Sequence, residues 1–129
     1  MRGQAFLALI ILIGGSAILI GVTLAFLANS FVDTGYGYRA SVSADAVATA
    51  GAQDALLQLD RNSSFSSGGY SVVVGSSTAT VTVSSSTSAG IVTIASTATV
   101  SNHTRKLTVL ASVNSTTGQV TVTSWQATQ

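Results

Sequence analysis

Between Arg2 and Asp33 lie thirty residues without a charge, GQAFLALIILIGGSAILIGVTLAFLANSFV, and most of them are Leu, Ile, Val, Ala, Phe or Gly. A soluble helix of that length keeps a polar face toward water. This one is apolar nearly all round, the pattern of a helix in lipid. At about 1.5 Å per residue it reaches roughly 43 Å, against a hydrocarbon core of about 30 Å, so it is predicted to span a membrane with length to spare. Ahead of it stand Met1, Arg2 and Gly3, whose basic flank predicts a single pass with the N-terminus in the cytoplasm and everything after Asp33 outside. A secretory signal shares the charged start, but its apolar region runs about 7 to 15 residues before a small-residue cleavage site. Ala28-Asn29-Ser30 fits such a site, yet the run before it is about twice that length, which favours a retained anchor.

Charge and cysteine narrow the rest. Only 7% of the 129 residues are charged and the formal net charge is +1, which leaves no electrostatic footprint for nucleic acid. With no cysteine, the exported part holds together without disulfides. Its core is small, so an apolar sheet face has to find cover within the chain.

Two pattern changes follow Val32. The alternation Gly35-Tyr36-Gly37-Tyr38 permits a bend, and its tyrosines suit the interfacial level, so it is predicted as the exit from the apolar zone. Then Arg39 to Asp60 reads as a helix, with Ala40, Ala44, Val47, Gly51, Ala55 and Leu59 at spacings of three and four, and Asp45, Gln53, Asp54 and Gln58 off that line. Its small residues serve either a sheet that the helix covers or another backbone in close approach. After Asn62-Ser63-Ser64 the period becomes two: Thr78 to Val83 alternates strictly, Leu107 to Val113 does so with Leu110 outside, Val92, Ile94, Ala98 and Val100 share a face, and so do Val120 and Val122. Turn-forming clusters at Gly75-Ser76-Ser77, Ser88-Ala89-Gly90, Ser101-Asn102-His103 and Asn114 to Gly118 join these strands as antiparallel neighbours.

The expectation is an α+β chain: a long N-terminal α-helix, its lower half membrane-spanning, packed on a small antiparallel β-meander of about five strands. The only cover for the sheet is the preceding helix, through Val47, Gly51, Leu56 and Leu59. The segments are 1–3, 4–32 for the membrane helix, 33–62 for its extension and 63–129 for the sheet.

Met-Arg-Gly followed at once by the apolar run resembles the leader and start of type IV pilins and type II secretion pseudopilins. Ala44 to Leu57, ADAVATAGAQDALL, and Ile94 to Val109, IASTATVSNHTRKLTV, are similar to segments of the PilX-type minor pilins and GspK-type pseudopilins. The resemblance implies a leader peptide at 1–3, prepilin-peptidase cleavage between Gly3 and Gln4, N-methylation of the new terminus, residence in the inner membrane, and then assembly with other pilin subunits into a surface filament. It implies no enzymatic activity and no cofactor. Most major pilins carry a glutamate in the first turn of the mature helix; counted from Gln4 that position is Ala8, and the chain has no glutamate at all. An unpaired carboxylate is costly in lipid, so its absence removes both a cost and a registering contact; the resemblance to the GspK-like component, where this glutamate is also missing, implies a minor rather than a major subunit. Gln4 itself departs from the family's aromatic start. Ala8 and Ile11 would pack in the filament core, and Gly14, Gly15 and Gly21 would soften the helix there.

Catalytic patterns are missing. His103 is the sole histidine, is predicted in a turn, and has no cysteine or glutamate to join it in a metal or nucleophilic site. Asp45 and Asp54 are nine apart, half a turn out of phase, and do not converge on a calcium ion. Arg105-Lys106 is expected either to meet Asp54 or Asp60 or to stand exposed on an edge strand. Asn62, Asn102 and Asn114 each begin a glycosylation acceptor triplet, in a chain where Ser and Thr are abundant. Two other functional classes remain open: a single-pass anchored surface domain that binds or adheres as a monomer, and a β domain released by cleavage near Ser30.

Overall fold

A computed structural model of the chain describes residues 2–86 and 90–128. Its elements are α1 (Arg2–Arg61), β1 (Ser67–Val74), β2 (Ser77–Ser86), β3 (Ile91–Val100), β4 (His103–Val113) and β5 (Val120–Thr128). The class is α+β, with the strands in one antiparallel sheet ordered β1-β2-β3-β4-β5. The chain divides into two units, Met1–Tyr36 and Gly37–Gln129.

In the first unit every side chain from Gly3 to Tyr36 is exposed. Three of its hydroxyls are turned inward on the helix: Ser16 Oγ donates to Ile13 O at 2.8 Å, Thr23 Oγ1 to Ile20 O at 2.9 Å and Thr34 Oγ1 to Ser30 O at 2.8 Å. Such bonds satisfy polar groups without water, a requirement of lipid surroundings. By length and composition α1 is a candidate membrane span. Residues 35–38, expected to bend, are helical. Glycine in a helix costs only about 1 kcal/mol relative to alanine, and the chain has no proline to break the hydrogen-bond ladder.

In the second unit the C-terminal part of α1 covers the sheet. Val47, Ala48, Ala52, Ala55 and Leu59 pack with Ala79, Val81, Val83, Val92, Ile94, Ala98, Leu107 and Val109 in one core. Ala40 and Ala44 extend the buried line toward the start of this unit, along the expected stripe. Leu56, expected in the core with Leu59, is half-buried at its margin, whereas Leu59 is fully buried. Burying a leucine completely is worth about 1.5–3 kcal/mol, so Leu59 anchors this end of the helix.

Not all of the apolar sheet face is covered. Val122, expected in the core, is 44% exposed, and so is Trp125, although their cross-strand partners Ala111 and Val109 are buried. A helix about 10 Å across cannot blanket five strands spaced about 4.8 Å apart, so the edge strand β5 is left at the rim.

The helix ends at Arg61 because Asn62 Oδ1 accepts the Ser64 N–H at 3.1 Å, a local turn that competes with the helical ladder. The β3–β4 connection is Ser101-Asn102, with φ of 47° and 65°, the pair of left-handed conformations that a two-residue hairpin needs. His103, expected in that turn, instead opens β4 opposite Val100, since only two residues fit such a loop. Asn114 organises the last loop by accepting the N–H groups of Thr116 at 2.9 Å and Thr117 at 3.1 Å, and Gly118, with φ of 71°, lets the chain turn back. Of the expected Ser88-Ala89-Gly90 turn, Ser88 and Ala89 lie outside the described residues.

Candidate functional site

The largest apolar surface is the first unit itself. Gly3, Gln4, Ala8, Ile11, Gly14, Gly15 and Gly21 are exposed along it, and a methyl added at any of these four glycines would meet nothing within 4 Å beyond the adjoining backbone of its own helix. Gly3, Gln4, Leu7, Ala8 and Ile11 line an open hollow of about 780 Å³ on the helix surface, which brings together no catalytic pair and gives the glycines no partner.

Helix–sheet packing residues behave differently. At Gly51 an added Cβ would lie 2.5 Å from Ser96 Oγ and 2.9 Å from both Ala79 Cβ and Val81 Cγ2, so α1 sits against β2 and β3 at a distance that glycine alone allows. Ser96 points into this approach. Its hydroxyl is buried without a hydrogen-bond partner, which ordinarily costs about 1–3 kcal/mol. The alternation of β3 put Ser96 on the inward face, but nothing in sequence linked it to Gly51.

Two polar contacts fasten the helix to the sheet. Tyr70 Oη donates to Asp54 Oδ2 at 2.9 Å, and Phe65 stacks edge-on against the Tyr70 ring with centroids 5.9 Å apart. Partial burial, together with the adjacent Asp54 carboxylate, pushes the Tyr70 hydroxyl pKa well above its ordinary value. Asp54, off the apolar line of the helix, is therefore a structural acceptor, with a tyrosine in place of the expected Arg105 or Lys106. Arg105 instead donates through Nε to Ser41 Oγ at 3.0 Å, and through Nη2 to the same oxygen. It lies on β4, an interior strand flanked by β3 and β5, so the edge-strand reading of Arg105-Lys106 is also corrected. His103 lies over Gly37, where an added Cβ would be 3.6 Å from its Cε1 and Nε2.

Among the described residues no group of three or more His, Cys, Asp or Glu side chains is arranged to hold a metal ion. An open groove of about 480 Å³ runs between Gln53, Leu56, Leu57 and Asp60 of α1 and Val120 and Val122 of β5. It is the rim left by incomplete cover of the sheet and brings together no catalytic pair. No protein-family model, no curated protein and no solved structure matches this chain.

Proposed function

We propose that this chain is a minor pilin or pseudopilin: a structural subunit held in the inner membrane by its apolar helix, processed between Gly3 and Gln4 by a prepilin peptidase, and then built with other pilin subunits into a filament at the cell surface. The observation that carries the reading is the division of labour within α1. From Gly3 to Tyr36 the helix is exposed and, as far as Val32, free of charge, and from Ala40 to Leu59 the same element supplies the cover of a sheet. An element built this way can exchange lipid for neighbouring helices without disturbing the fold of its sheet domain. The hydroxyls of Ser16, Thr23 and Thr34, bonded to their own helix, support it, since they need no partner in either setting. Ala8 in place of a carboxylate supports a minor rather than a major subunit.

The test is the N-terminal residue of protein sheared from cells, measured by mass spectrometry. A chain beginning at Gln4, with a bulky substitution of Gly3 leaving unprocessed protein in the membrane, is the expected result. A chain that keeps Met1 and stays in the membrane identifies a permanently anchored surface domain instead. A start near Ser30 identifies a released β domain.

A further inference from the structure

Charge in the Gly37–Gln129 unit is segregated along its length. The His103 ring lies over Gly37, and one helical turn later Arg105 reaches Ser41, so β4 and α1 run in the same direction and the β3–β4 turn sits at the Gly37 end of the unit. Lys106 follows Arg105 on the opposite face of the sheet, where its neighbours are Thr97 and Thr128, and it is exposed. Arg39 is exposed on the helix at the same level. Three of the unit's four cationic side chains, and its only histidine, therefore surround one end. Asp54, Asp60 and Arg61 belong to the last turns of α1, at the other end, and Asp45 stands one turn beyond Ser41.

The basic end is also the one that follows the apolar run in the chain. Gly37 comes only five residues after Val32 in the chain, at most about 18 Å of fully extended backbone. Tyr38, 72% exposed, adds an amphipathic ring of the kind that settles among headgroups. We propose that this end of the sheet domain, presenting Arg39, Arg105, Lys106 and Tyr38 around the Ser101-Asn102 turn, docks on anionic phospholipid headgroups of the bilayer that holds the apolar helix. Cations near an anionic leaflet are attracted strongly enough that removing two shifts a docked-to-free ratio by about 30-fold. Asp33, four residues ahead of Gly37 in the chain, and Asp45, one turn beyond Ser41, offset two of these three charges and leave an excess of one. The inference rests on the membrane anchoring proposed above, and it adds a second state to that reading: a subunit parked on the bilayer surface, released when the helix leaves lipid.

The test uses the full chain, which has no cysteine, carrying a fluorophore on S101C and reconstituted in vesicles of phosphatidylcholine alone or mixed with phosphatidylglycerol. The expected result is flotation with both vesicles, but stronger quenching of the probe by headgroup-labelled lipid in those containing phosphatidylglycerol, reversed by high salt and lost in R39Q/K106Q. Both substituted residues are exposed, so an unchanged circular dichroism spectrum is expected for the variant. Equal quenching in the two lipids, or quenching unchanged in R39Q/K106Q, overturns docking while leaving the anchor intact. A probe signal that changes with the protein-to-lipid ratio rather than with lipid charge assigns the surface to a neighbouring copy and overturns it too. Failure to float with either vesicle overturns the membrane reading, and this one with it.

Discussion

Gly51 and Ser96 meet where the helix lies close enough to the sheet that a Cβ on Gly51 would clash, so the pair is a sensitive point of the core. Gly51→Ala would gain about 1 kcal/mol of helix propensity but drive a methyl into Ser96, Ala79 and Val81, none of which has a long flexible side chain to move aside. Overpacking of this kind costs about 1–3 kcal/mol, so net destabilisation is expected in thermal or denaturant unfolding. Ser96→Ala removes an orphaned hydroxyl and is expected to leave stability unchanged or raise it by about 1 kcal/mol. The Tyr70–Asp54 contact makes a different prediction. Its environment raises the Tyr70 pKa, so the folded chain keeps a proton that the unfolded chain loses near the ordinary tyrosine value of about 10. Stability from this group is therefore fully present below about pH 10 and declines as pH rises beyond it. Tyr70→Phe should cost about 1 kcal/mol at neutral pH and flatten that alkaline decline in unfolding measured against pH.

At the scale of the element, α1 carries two unlike surfaces. Along its sheet-covering part the small residues bring the backbones close and Leu59 supplies the bulk. Leu59→Ala is expected to cost about 2–5 kcal/mol, whereas Leu56→Ala, at the margin beside the groove, should cost about 1 kcal/mol or less. Comparable losses for the two would mean that the groove is filled in solution. The strands divide in the same way. β2, β3 and β4 lie under the helix, while β5 carries Val122 and Trp125 beyond its reach, so inward alternation in a strand does not by itself mean burial.

For the whole molecule, the exposed apolar surface of the first unit dominates behaviour, since a chain with that much hydrocarbon outside its own core needs lipid or other subunits around it. Ile11→Arg puts an unpaired charge in that surface at a cost of about 2.5–3.5 kcal/mol at the centre of a membrane helix. The variant is expected to be missing from sheared filaments, while the near-ultraviolet circular dichroism of Tyr70 and Trp125 stays unchanged because both belong to the other unit. Filaments that incorporate Ile11→Arg normally would remove the helix from their core. Filaments composed of this chain alone would make it a major subunit.

Periodicity by itself determined the helix, the meander and most of the core: a charge-free run can only be solvated by lipid or like surfaces, and alternation of Val and Thr commits one strand face to the interior. The stripe from Ala40 to Leu59 and the inward faces of β2, β3 and β4 were legible for that reason. The proposed leader cleavage at Gly3 and Gln4 and the proposed filament packing of Ala8 and Ile11 would depend on other molecules, and periodicity within one chain does not encode them. What only the tertiary structure decided was which residues meet across long stretches of sequence. His103 opens a strand because a two-residue turn leaves no room for a third, Arg105 meets Ser41 because β4 runs along the helix, and Asp54 finds Tyr70 because the helix lies over the sheet. Val122 stays half-exposed because a single helix is narrower than five strands, a matter of widths in space that a one-dimensional pattern does not carry.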